Sequence, residues 1–69
     1  MGAEAMTTES TWIDVTIEAE TDKAVLLNNG HRKAWIPRSQ ILDYEDDLRK
    51  ATATKVELPL WLAEKAGLV

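Results

Sequence analysis

The sequence predicts a mainly β fold of the α+β type: a small curved antiparallel sheet with a short C-terminal helix. Three observations predict it. Apolar residues alternate with polar ones from Trp12 onward and again from Ala51 to Leu58, the period of half-buried strands. Asn28-Asn29-Gly30 separates two apolar segments of strand length, and Asn-Gly accepts the positive φ angles of a tight hairpin. Near the C-terminus, Pro59 precedes a run of good helix formers that stops at Gly67.

In the first strand Ile13, Val15, Ile17 and Ala19 point to one side, and Asp14, Thr16 and Glu18 to the other. Glu20 to Lys23 reads as a turn, and Ala24-Val25-Leu26-Leu27 as the second strand of a hairpin. The third strand is expected over His31 to Ile36. Pro37 cannot donate a ladder hydrogen bond, so it ends that strand or marks a sheet edge. Ser39 to Leu42 reads as one helical turn and Asp43 to Asp47 as a solvated loop. In the next strand Thr54, Val56 and Leu58 lie opposite Lys55 and Glu57. Leu58, Leu62 and Ala66 then share a face at four-residue spacing, with Trp61 beside them. Trp35 and Trp61 stand in apolar surroundings and are expected in the core. So few strands either roll into a partly open barrel of SH3 or OB type or pack one face on the helix.

The chain has 69 residues, enough for one domain with a thin stability margin. Residues 12–69 are expected to form it, behind a frayed tail over 1–11 whose first five residues, ahead of a second methionine, look like an expression remnant. There is no cysteine, and no apolar run of spanning length or secretory leader, which predicts a cytoplasmic protein.

Candidate chemistry is sparse. The single histidine, His31, is followed by Arg32 and Lys33, a setting that repels a cation, so no metal site and no cofactor is expected. The three glycines form no phosphate loop, and Ser10 and Ser39 have one histidine between them as a possible base. Asp43, Glu45 and Asp47 have the spacing of an EF-hand start, but Leu48 occupies the glycine position and Thr54 the bidentate glutamate position. The residues point away from an enzyme.

Charge is arranged in blocks. Residues 1–22 carry six carboxylates and no base, residues 23–42 four bases and no acid, and residues 43–47 four carboxylates, within a formal net charge of −4. Such a surface repels a phosphate backbone, so direct nucleic-acid binding is disfavoured, and a partner with a basic surface suits it better. The candidate contacts are Asp14, Glu18, Glu20, Asp22, Asp43, Glu45, Asp46 and Asp47. Trp12 shares the parity of Asp14 and Glu18; it is either an exposed aromatic rimmed by carboxylates or a cap on the open end of the barrel. Against this stands a patch of Arg32, Lys33 and Arg38 around Trp35, the basic and aromatic mixture of a single-strand binder. A homodimer joined through a sheet edge is a third alternative.

Two segments carry a resemblance, Trp35-Ile36-Pro37-Arg38-Ser39-Gln40-Ile41 and Val56 to Leu68 with its Pro59-Leu60-Trp61-Leu62-Ala63 helix start. Together with Lys23-Ala24-Val25-Leu26 they resemble small acidic proteins encoded by phages and other mobile elements, over roughly residues 12 to 69. The resemblance concerns mostly structural positions. It implies a phage-associated protein, and compact acidic proteins of that origin include anti-CRISPR inhibitors, several of which present carboxylates where a defence complex expects DNA phosphates. The resemblance itself implies no activity. By analogy of size and segregated negative charge, the leading expectation is a non-enzymatic inhibitor in the host cytoplasm that binds a basic, nucleic-acid-recognising surface of a CRISPR-Cas complex, with DNA mimicry as one version of it.

Overall fold

The computed structural model describes residues 9–69. One five-stranded antiparallel sheet is formed by β1 (Ser10–Glu20), β2 (Ala24–Asn28), β3 (Lys33–Pro37), β4 (Asp43–Tyr44) and β5 (Ala53–Pro59), in the order β3-β2-β1-β5-β4. A 3₁₀ turn, Arg38–Gln40, follows β3, and the helix α1 (Leu60–Lys65) follows β5. The sheet is curved and open. Met1 to Thr8, most of the expected tail, lie outside the described residues, and β1 starts at Ser10, which pairs with Pro59.

The curvature follows from a short connection. Pro37 lies level with the C-terminal end of β1 and Asp43 with Trp12 near its start, on opposite edges of the sheet. In a flat sheet those points would be ~26 Å apart along β1 and ~19 Å apart across four strand spacings. Six residue steps span at most ~20 Å. The sheet therefore cannot be flat: it twists and coils so that the end of β3 and the start of β4 come within reach of six residues, and a bulge in β1 helps it turn.

That bulge is at Glu18. The β1–β2 register shifts between Ile17 and Ala19, so the alternation expected through Ala19 stops at Ile17. Ile13, Val15 and Ile17 face the core, whereas Ala19 turns to the outer face opposite Leu26. Val25 and Leu27 of β2, Ile36 of β3, and Val56 and Leu58 of β5 complete the inner face. Ala63 and Leu68 close over it, with Ile41, Leu48, Leu62 and Ala66 partly buried against the core.

Local geometry differs from the sequence reading where side chains capture backbone groups. The β2–β3 connection is longer than a two-residue turn, because Asn29 Oδ1 accepts from the His31 and Arg32 amides at 2.9 and 2.8 Å. Asn28 Oδ1 accepts from the Gly30 amide at 2.8 Å, with Gly30 at φ 96°, and β3 begins only at Lys33. The 3₁₀ turn starts one residue earlier than expected, at Arg38. Asp43 and Tyr44, expected in a loop, form an edge strand held by Leu42 N–H to Glu57 O and Glu45 N–H to Lys55 O.

Two tryptophans expected in the core are outside it. Trp35 is 52% exposed because β3 alternates, and Ile36, its neighbour, takes the inner position. Its cross-strand partner is Leu26 on the outer face. Truncating Trp35 to alanine is therefore expected to cost only about 0.5–1 kcal/mol in a denaturant titration. Trp61 is 49% exposed, since α1 turns Leu62, Ala63 and Ala66 inward and leaves Trp61 on the side of Glu64 and Lys65.

The helix ends as expected at Gly67. Gly67 N–H donates to Glu64 O and Leu68 N–H to Ala63 O, the paired bonds of a Schellman cap. Gly67 has φ +76°, and a Cβ there would run into the Arg32 side chain. Gly67→Ala is expected to lower stability by about 1–2 kcal/mol, read as a drop in thermal midpoint. Asn29 Nδ2 donates to Leu68 O at 3.1 Å, so the chain end is also tied to the β2–β3 loop.

Candidate functional site

Pairing along β1, β5 and β4 builds one outer face from residues distant in sequence. Trp12 lies opposite Glu57, and Glu57 opposite Asp43. In the next row Asp14 faces Lys55. Glu45, just beyond β4, is fastened by its amide to Lys55 O at 3.0 Å, and the Asp46 amide donates to Thr54 Oγ1 at 2.8 Å. This region thus gathers Asp14, Asp43, Glu45 and Glu57 around a single base, Lys55, with Asp46 beside them at the sheet edge, where it lines a cleft with Asp14 and Glu45. Trp12, 45% exposed, stands at its margin.

Asp43 lies directly opposite Glu57 in the register, a like-charge cross-strand pair of the kind that destabilises a sheet. The Asp43 carboxylate is held locally by the Tyr44 amide, which donates to Asp43 Oδ1 at 2.8 Å. Ser10 Oγ donates to Glu57 Oε2 at 2.5 Å, which holds that carboxylate in place. Beside the face lies a cleft of about 460 Å³ lined in part by Asp14, Thr16, Asn28, Gly30, Glu45 and Asp46. Its exposed wall is more apolar than polar, with Val15 and Ala53 in the lining, and Lys55 stands on it together with the three carboxylates.

The other predicted carboxylates lie outside this group, and Glu18, Glu20 and Asp47 have partners within the fold. Glu18 accepts from Asn28 Nδ2 at 2.9 Å and lies 4.0 Å from Lys33 Nζ. Glu20 accepts from the Lys50 amide at 2.9 Å and from Arg38 Nη2 at 3.4 Å. Asp22 sits in the β1–β2 turn beside Lys23, and Asp47 lies 3.8 Å from Arg49. Such exposed pairs contribute only about 0–1 kcal/mol each, but they balance the charge at this end of the sheet. The eight predicted carboxylates therefore fall into two groups, and only Asp14, Asp43, Glu45 and Asp46 belong to the face.

The basic patch around Trp35 is also partly spent. Lys33 and Arg38 neighbour Glu18 and Glu20, Arg38 Nε donates to Thr21 O at 3.0 Å, and the Arg32 side chain lies across Gly67. Trp35 remains exposed next to Leu26. Sequence reading missed Glu57, because its carboxylate joins the acidic group only through the β4 pairing. The alternation of Lys55 and Glu57 was the one signal that could have placed it.

Among the described residues no group of three or more His, Cys, Asp or Glu side chains could hold a metal ion, and no buried side-chain polar atom lacks a hydrogen-bond partner. No helix among them is long and apolar enough to cross a membrane. Comparisons with protein-family models, curated proteins and solved structures gave no match.

Proposed function

We propose that the protein is a non-enzymatic inhibitor whose acidic face covers a basic, nucleic-acid-recognising surface on a partner protein, taking the place of a phosphate backbone. The resemblance to small acidic phage proteins makes a host CRISPR-Cas defence complex the partner of choice. One observation carries the reading: Asp14, Asp43, Glu45, Asp46 and Glu57 share a surface with a single base, and Asp43 opposes Glu57 in spite of the repulsion. A local arrangement that works against stability is what a binding surface retains. Trp12 at the margin supplies the aromatic contact that binding hot spots favour, and the adjoining cleft has room for an arginine or lysine side chain of the partner.

Electrostatic steering of this kind speeds association and weakens with salt. The test is binding to a purified defence complex across a salt series, in competition with the complex's own DNA. Affinity that falls steeply with salt and is lost to competing DNA supports the proposal. Affinity independent of both overturns it.

A second reading is favoured by the exposure of Trp35: a single-strand-binding module using Arg32, Lys33, Trp35 and Arg38. Fluorescence titration with labelled single-stranded DNA at low salt separates the two. The inhibitor reading expects no binding.

A further inference from the structure

The two edges of the sheet are unlike. β4 has only two residues, whereas β3 presents five, and its hydrogen-bonding parity is set by its ends. Arg38 N–H donates to Lys23 O below the strand, and Asn29 N–H donates to Arg32 O above it. With the register Ala24↔Pro37 to Asn28↔Lys33, the residues bonded to β2 are Ala34 and Ile36. The amide and carbonyl groups of Lys33 and Trp35 then point away from the sheet. Pro37, at the end, has no amide to offer.

We infer that β3 is the seam of a homodimer, in which the edge pairs antiparallel with the same edge of a second copy about a two-fold axis through Ala34. In this register Lys33 of each copy faces Trp35 of the other, and four hydrogen bonds form from the outward amides and carbonyls of these two residues. An axis through Trp35 would instead set Pro37 against Lys33 and leave the Lys33 carbonyls unpaired. The two Ala34 residues meet as the close, non-hydrogen-bonded pair, where a small side chain lets the strands approach.

The side chains on the outward-bonding positions identify the occupant as a second copy, because a cation on one strand meets an aromatic ring on the other. The Lys33 ammonium of one chain lies over the half-exposed Trp35 indole of the other, whose ring face is negative, and the contact is made twice by symmetry. Leu26, behind Trp35, extends the apolar part of the contact. Lys33 and Pro37 are also residues that guard an edge against indiscriminate pairing, which keeps the association weak and restricts its register. The acidic face lies on β1, β5 and β4, away from this seam, so a dimer carries two such faces. The inference does not depend on what they bind.

Amide hydrogen exchange across a concentration series up to the millimolar range tests it, alongside sedimentation equilibrium. The Lys33 and Trp35 amides are expected to slow at least about tenfold as the dimer forms, while Ala34 and Ile36 stay protected throughout. Lys33→Pro, at the first position of the strand with its amide facing outward, is expected to remain folded by circular dichroism and to sediment as a monomer. Trp35→Ser serves as the second variant, with the same expectation. A species that remains at 7.7 kDa at millimolar concentration, with Lys33 and Trp35 amides exchanging at a constant rate, overturns the inference. So does a dimer that survives both substitutions.

Discussion

Leu27→Ala is expected to unfold the domain at ordinary temperatures. Leu27 is fully buried opposite Ile17, where β1 begins its bulge, and the inner faces of β1, β2 and β3 meet there. Removing a buried leucine side chain costs about 2–5 kcal/mol, the transfer of its methyl groups plus the cavity they leave. A small domain has about 5 kcal/mol or little more to lose. Thermal denaturation followed by circular dichroism should show the folded baseline lost or the midpoint lowered by well over 10 °C on the scale of ~4–8 °C per kcal/mol for such domains. Trp35→Ala is the matched comparison, since it removes a larger side chain from an exposed site. If Trp35→Ala proved the more damaging of the two, the assignment of inner and outer faces would be wrong.

The second large effect concerns binding. Replacing Asp43, Glu45 and Asp46 together by lysine changes the face from net acidic to net basic, because only Asp14 and Glu57 would remain against Lys55 and the three new lysines. Affinity for the basic partner should fall at least about 100-fold, corresponding to ~2.7 kcal/mol, with a reduced association rate. The fold should tolerate the change, because all three side chains are exposed and the β4 ladder is made by the backbone, the one side-chain bond lost being that of Asp43 Oδ1 to the exposed Tyr44 amide. Replacing Glu18 and Glu20 makes the informative control. Those carboxylates hold Asn28, the Lys50 amide and Arg38, so their loss should lower stability and leave the affinity of the folded protein nearly unchanged. Equal binding by the triple variant and the native protein would refute the proposed site.

How much of this was legible in the sequence varies from residue to residue. Ile13, Val15, Ile17, Thr54, Val56 and Leu58 occupy the inner face that their alternation predicts, and Gly67 ends the helix through a left-handed conformation that glycine adopts at little cost. Ala19 escaped prediction because a bulge at Glu18 inverts every later position, and nothing in the local pattern marks an inserted residue. Trp35 and Trp61 were misplaced for another reason. A large aromatic between apolar neighbours reads as core, yet which parity is buried depends on the sheet and helix packed opposite.

The acidic face shows the same division. Blocks of charge along the chain were plain, but Asp14, Asp43, Glu45, Asp46 and Glu57 become neighbours only when β4 and β5 line up beside β1. The sequence by itself determined the mainly β class, the strand periods, most of the core and the C-terminal stop of α1, because these depend on alternation and on backbone preferences of single residues. Only the tertiary structure decided which carboxylates stand together, which are tied up by neighbouring bases, and which tryptophans face water. Those are properties of strand order and register, set by contacts between residues dozens of positions apart, and local pattern carries no record of them.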